Sequence, residues 1–158
     1  MKKYINALLM IIAVMLVSCA GIEPETFPFE ESSFTRYSNK GTSRIVGSAF
    51  MRTRAGDVKT GAGCTVELIP ATPHTVERFT VSRRVGPRDP RLAKYVRTTV
   101  ADAQGSFEFN NIPAGDYILS CVIKWQFHNG SYAQRTGGQA IAKTTVNQRQ
   151  TVKVILTK

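Results

Sequence analysis

Asp102-Ala103-Gln104-Gly105-Ser106-Phe107-Glu108-Phe109-Asn110-Asn111-Ile112-Pro113-Ala114-Gly115-Asp116-Tyr117 is the stretch on which the fold of this chain turns. Asp102 to Gly105 reads as a tight turn, with glycine supplying the positive φ that other residues resist. Ser106 to Phe109 alternates polar and aromatic residues, the pattern of a strand with one buried face. Ile112-Pro113-Ala114-Gly115 is a second turn, with proline at its second position and glycine at its fourth. Tyr117 then opens a new apolar alternation. Turn, strand, turn, strand in sixteen residues leaves no room for a helix.

Working outward, the same punctuation continues in both directions. Tyr95 to Ala101 is a β-branched strand ahead of the first turn, and Tyr117 to Phe127 is the longest strand after the second. Asn129-Gly130 is a hairpin signal, because a type I′ turn needs positive φ twice, and it leads into Ser131–Arg135. Gly137-Gly138 reads as another break, followed by strands Gln139–Val146 and Gln150–Leu156. Upstream lie Ile45–Thr53 and Cys64–Ile69, the latter closed by Pro70 and Pro73, with Thr75–Val81 extending it or pairing nearby. No helical period of useful length appears. Seven or eight short strands over residues 44–158 predict an all-β fold, an antiparallel β-sandwich.

The quoted run also resembles the signature of carboxypeptidase regulatory-like domains, D-x-x-G-x-F-x-F-x-x-[IL]-P-x-G-x-Y, matched here from Asp102 to Tyr117. Gly47 and the strand at Cys64–Pro70 sit where such domains place their first two strands. The resemblance covers roughly residues 44–158 and implies a Greek-key, transthyretin-like sandwich. Such domains are usually non-catalytic appendages, so the resemblance implies a fold and a binding or assembly role, with a protein partner favoured over a small ligand; it does not imply peptidase activity. The chain departs from the short form of that family at Val76–Lys94, an insertion-like segment carrying Arg78, Arg83, Arg84, Arg88, Arg91 and Lys94. A loop of this length is more often functional than idle, and arginine forks grip phosphates and carboxylates. These six residues are the candidate anion- or partner-binding loop; the competing reading is a solvated charged loop.

The N-terminus has its own pattern. Lys2 and Lys3 precede the apolar run Ala7–Val17, and Ser18, Cys19 and Ala20 follow. A basic start, a short apolar run and a small-residue site make a secretory signal peptide, too short for a spanning helix. Leu16-Val17-Ser18-Cys19 resembles the bacterial lipoprotein lipobox, which implies cleavage before Cys19, lipid on its sulfur and amino group, and attachment to a membrane. Ala20, rather than Asp, after the cysteine implies the outer membrane in a Gram-negative host, or the cell membrane in a Gram-positive one. The expected organisation is a signal peptide over 1–18, a lipidated N-terminus and flexible tether over 19–43, and one domain over 44–158. Four aromatics in the tether, Phe27, Phe29, Phe34 and Tyr37, are expected to pack on the chain's own domain.

The net charge is +10. A basic body on an exported, acidic tether points to anionic envelope polymers or an acidic protein partner, and nucleic acid is excluded as an expected partner by the compartment. Cys64 and Cys121 remain once Cys19 is lipidated. Both fall on core-facing alternations, and an exported protein with an even remainder is expected to bridge them, two separate buried thiols being the alternative. No reaction is named by the residues. His74 and His128 lie far apart and outside any ligand-spaced motif, so no metal site is expected, and no cofactor beyond the lipid on Cys19. No G-x-S-x-G and no histidine–nucleophile pairing appears. Trp125, the sole tryptophan, reads as a core residue, and Phe127 and Tyr132 beside the hairpin tip as exposed aromatics that could meet a carbohydrate. The expectation is a non-catalytic envelope lipoprotein whose sandwich is a binding or assembly module. The alternatives are a lipoprotein subunit of a secretion or pilus machine, or a binder of anionic envelope polymers.

Overall fold

The structure is a computed structural model that describes residues 26–80, 88–129 and 132–158. The readings at residues 1–18, at Cys19, and at Arg83, Arg84 and Gly130 lie outside these residues. The described strands are β1 (Ser43–Arg52), β2 (Val58–Thr60), β3 (Thr65–Pro70), β4 (Arg97–Val100), β5 (Ser106–Ile112), β6 (Gly115–Asn129), β7 (Tyr132–Val146) and β8 (Thr151–Leu156). They form two four-stranded sheets that enclose one core, so the chain is predominantly β.

β1 is the centre of the first sheet. β5 and β2 pair with it antiparallel, and β8 pairs with it parallel over Arg44–Ala49. The expectation of a wholly antiparallel sandwich is corrected by this one pair. Its cause is the crossing after β7: Ser43 Oγ donates to Asn147 O at 2.6 Å and Arg44 N donates to Gln150 O at 2.9 Å, which seats β8 beside β1 in the same direction. Gly47 is required at the middle of β1. A Cβ there would stand 2.3 Å from Val154 O and 2.5 Å from Phe107 Cζ, so the Phe107 ring and β8 both occupy the space a side chain would need.

The second sheet runs β4-β3-β6-β7, antiparallel throughout. Its inner face supplies Val66, Leu68, Leu119, Cys121 and Ile123, all buried against Ile45, Phe107 and Leu156 of the first sheet. Each such side chain contributes ~1.5–3 kcal/mol on leaving water. The turn at Asp102–Gly105 forms as read: Asp102 Oδ1 accepts from Gln104 N at 2.9 Å and Ser106 N at 2.8 Å, and Gly105 has φ +81°.

Two expected strands are corrected. Thr75–Thr80 does not form one; Pro73–Thr80 is helix α1, and Val81 lies outside the described residues. Thr72 caps it, its Oγ1 accepting from Thr75 N at 3.4 Å, and proline opens its first turn, where a missing N–H costs nothing. The expected break at Gly137-Gly138 is absent, and β7 runs through it. The glycines serve packing instead: a Cβ on Gly138 would lie 2.9 Å from Met51 Cε, at the end of β1. The β6–β7 ladder extends to Asn129↔Tyr132, one residue later than an Asn129-Gly130 centre implies.

From Thr26 on, the segment expected to be a free tether lies against the sandwich. Glu77 on α1 is buried and its carboxylate accepts from Thr26 N and Phe27 N, each at 3.0 Å. His74 Nδ1 donates to Phe27 O at 3.0 Å. A 3-10 helix over Glu31–Ser38 then carries Phe34 into a second cluster with Phe29, Leu92 and Tyr95, where Phe34 stacks on Phe29 at 4.8 Å and on Tyr95 at 5.1 Å. Tyr37 enters the main core edge-on to Tyr117 at 5.2 Å. Ile69 and Ile118, a facing pair that alternation puts on the outer side of the second sheet, are fully buried as well. This end of the outer face is therefore covered, and the opposite end is open.

Candidate binding site

The open end is built by unequal strand lengths. β3 pairs with β6 only as far as Val66↔Cys121, whereas β6 and β7 stay paired to Asn129↔Tyr132. Beyond Ile123↔Gly138, where Met51 still packs, the two strands continue as a two-stranded arm about 20 Å long.

At the root of the arm lies a groove of about 510 Å³ between the 60–65 turn and the β6 edge that β3 leaves unpaired. Thr60, Thr65, Glu67, Ser120, Lys124 and Gln139 give it hydroxyl, carboxylate, ammonium and amide groups. Ser120 is held from below, its Oγ accepting from Gln139 Nε2 at 2.8 Å. A concave, mixed polar and apolar site of this size fits a few sugar units or a short extended chain.

Cys64 and Cys121 line the same groove and are both thiols here. Val66 faces Cys121 in the β3–β6 register, so Cys64, one residue before β3, lies diagonally across from Cys121 on the inner side. Burial, and then the neighbouring sulfur, push the Cys121 thiol up to about 12. A thiol so reluctant to ionise is a poor nucleophile.

The arm carries the exposed aromatics. By the register, Trp125, Phe127 and Tyr132 share one face, the continuation of the core-facing side of β6. Trp125 is half-buried against the core edge, Phe127 is 43% exposed and Tyr132 is 77% exposed. One signal for this end was present in the sequence and was missed. No aspartate or glutamate follows Asp116, while Lys124, Arg135, Lys143, Arg149, Lys153 and Lys158 do. The last three strands are therefore uniformly cationic.

The basic segment touches this groove only through Arg88 among the described residues, and its charges are largely neutralised where it is described. Arg88 makes two hydrogen bonds to Glu67, Arg91 is paired with Asp89 at 2.7 Å, and Lys94 is paired with Glu31. Arg91 also lies 4.5 Å over the Phe29 ring, and Arg78 is half-buried on α1. The Arg91 hydrogen bonds hold the Asp89 carboxyl down at about 2. Arg91 and Lys94 fasten the 90–95 stretch to the covered end of the molecule, while Arg88 holds Glu67 at the margin of the groove.

Among the described residues, no group of three or more His, Cys, Asp or Glu is placed to hold a metal ion. No described helix is long and apolar enough to cross a membrane. The His128 side chain lies outside the described residues.

No protein-family model matches the chain, and no curated protein matches it. Among solved structures it is similar to a protein of Pseudomonas aeruginosa named a putative carbohydrate binding protein, with 28% identity over 84% of this chain and 99% of that one and a TM-score of 0.73. A looser match is to the major pilin subunit of Bacillus cereus, 13% identical over 75% of this chain and 30% of the pilin, with a TM-score of 0.40, which carries no weight here. The first likeness spans the whole of its partner, so this chain shares a fold with a protein named for binding.

Proposed function

We propose that this chain is a non-catalytic binding module of the bacterial cell envelope, anchored by lipid on Cys19, whose ligand is an envelope carbohydrate polymer. The observation that carries this reading is the likeness, over 84% of this chain, to a protein named a putative carbohydrate binding protein, at 28% identity. The open groove and exposed arm at one end of a rigid sandwich support it. The lipid would fix one end of the chain at the outer membrane, or at the cell membrane of a Gram-positive host. The finer classification, a carboxypeptidase regulatory-like domain of Greek-key, transthyretin-like topology, is supported by the Asp102–Tyr117 run and by the central position of β1.

The test is a pull-down of the full chain on purified envelope polysaccharides at low and high salt. Retention on polysaccharide that weakens with salt is the expected result. Recovery only of a defined set of membrane proteins after in-cell crosslinking would replace this reading with a secretion- or pilus-machine subunit. One observation favours that second reading: β7 is a fifteen-residue edge strand with no partner on its outer side among the described residues, open to an added strand.

A further inference from the structure

Resting on the carbohydrate reading, we propose that the β6–β7 arm is the gripping element and that its ligand is a linear polysaccharide bearing anionic groups. Three observations converge on the arm. First, Trp125, Phe127 and Tyr132 form a stripe along one face, with neighbours on a strand ~6.6 Å apart, a spacing on the scale of one sugar ring. The C–H bonds on the flat side of a pyranose carry partial positive charge, and an aromatic face carries negative charge, so stacked sugars are held without being tightly oriented.

Second, exposure rises toward the tip, from half-buried Trp125 through Phe127 to Tyr132. Phe127 and Tyr132, held out on a ribbon beyond the core, contribute little to folding there, so the fold does not account for them, whereas Trp125 packs on the core edge at the base of the stripe. Third, the charge is one-sided. Residues 117–158 contain no acid, and Lys124 and Arg135 leave the opposite face of the arm from the stripe. Lys158 reaches the base of the aromatic face, its Cδ 3.9 Å from where a Gly138 Cβ would be. A ribbon two strands wide puts both faces within reach of one polymer chain, so carboxylates or phosphates on the polymer meet cations while its rings meet the stripe. A neutral glycan would use the stripe alone.

Trp125, the sole tryptophan, is a built-in reporter for the test. The full lipidated chain, in detergent micelles, is titrated with a linear hexasaccharide of uronic acids and with its carboxyl-reduced, neutral counterpart. Wild type is expected to show a saturable change in Trp125 emission with the uronate. That affinity should fall about tenfold or more in the Phe127→Ser, Tyr132→Ser double variant, whose folding is checked by circular dichroism. It should also weaken with salt and exceed that for the neutral counterpart. Equal binding by the double variant would remove the arm as the grip while leaving the carbohydrate reading intact. Equal binding of the neutral hexasaccharide would overturn the anionic class. Failure of wild type to bind any purified envelope glycan would overturn the carbohydrate reading itself. Reversible self-association lost in the double variant would make a second copy the occupant and overturn the proposal.

Discussion

The Arg88 guanidinium grips both carboxylate oxygens of Glu67, with hydrogen bonds of 3.1 and 2.9 Å. Glu67 lies on the outer face of β3, at the margin of the groove, so this fork joins the basic segment to the open end. The pair is about one-third exposed on each side, at 37% and 32%. An exposed pair of this kind is worth ~0–1 kcal/mol. Glu67→Gln is therefore expected to leave the urea midpoint nearly unchanged. It should accelerate tryptic cleavage after Arg88, because the fork that holds this residue is lost; an unchanged digestion rate would show that the fork does not restrain the segment.

Gly47 should tolerate no side chain. A Cβ would meet Val154 O and the Phe107 ring at 2.3 and 2.5 Å, and neither a strand backbone nor a packed ring moves freely. Gly47→Ala is expected to cost ~1–3 kcal/mol through overpacking, read as a lower urea midpoint at unchanged slope. A wild-type midpoint would mean that β1 and β8 are not so closely joined.

The acid sensitivity of the covered end has a definite sign. Asp89 is held at about 2, below its ordinary 3.8, chiefly by hydrogen bonds from Arg91. A depressed carboxyl stabilises the fold above its unfolded value and loses that contribution as pH falls from about 4 toward 2. The carboxyl carbon shift of Asp89 followed by NMR should titrate near pH 2, and in Arg91→Ala it should return toward 3.8. A midpoint near 4 in wild type would contradict the pairing.

Cys64 and Cys121 are expected to bridge in an oxidising compartment, since the register sets them diagonally across neighbouring strands and both line one groove. Intact mass before and after reduction should differ by two hydrogens. In the reduced protein, Cys121 should alkylate far more slowly at pH 8 than an unstrained peptide thiol, because a group held at about 12 is almost wholly protonated there. Rapid labelling of Cys121 would contradict its burial.

Much of the sandwich was legible because turns and alternation are local. The Asp102 turn, the Phe107–Phe109 alternation and the long strand from Tyr117 depend on neighbours a few residues away, and each is found. Residues Pro73–Thr80 were misread because β-branched Thr75 and Val76 suggested a strand, while the Thr72-Pro73 cap was overlooked. The parallel β1–β8 pair was not legible, since strand partners are chosen by the crossing of a distant chain. The basic segment was seen correctly as a charge cluster, but its pairing with Glu67, Asp89 and Glu31 depends on the fold. The arm was hidden by the Gly137-Gly138 pair, which reads as a break and is instead the place where Met51 packs.

The most direct test of the central claim is an amide NMR map of the labelled chain as an anionic oligosaccharide is added. Shifts concentrated in 60–67, 120–129 and 132–139 are expected, fading as salt is raised. Shifts confined to α1 and the 88–95 stretch, or none at all, would contradict a polymer-binding module that works from its open end.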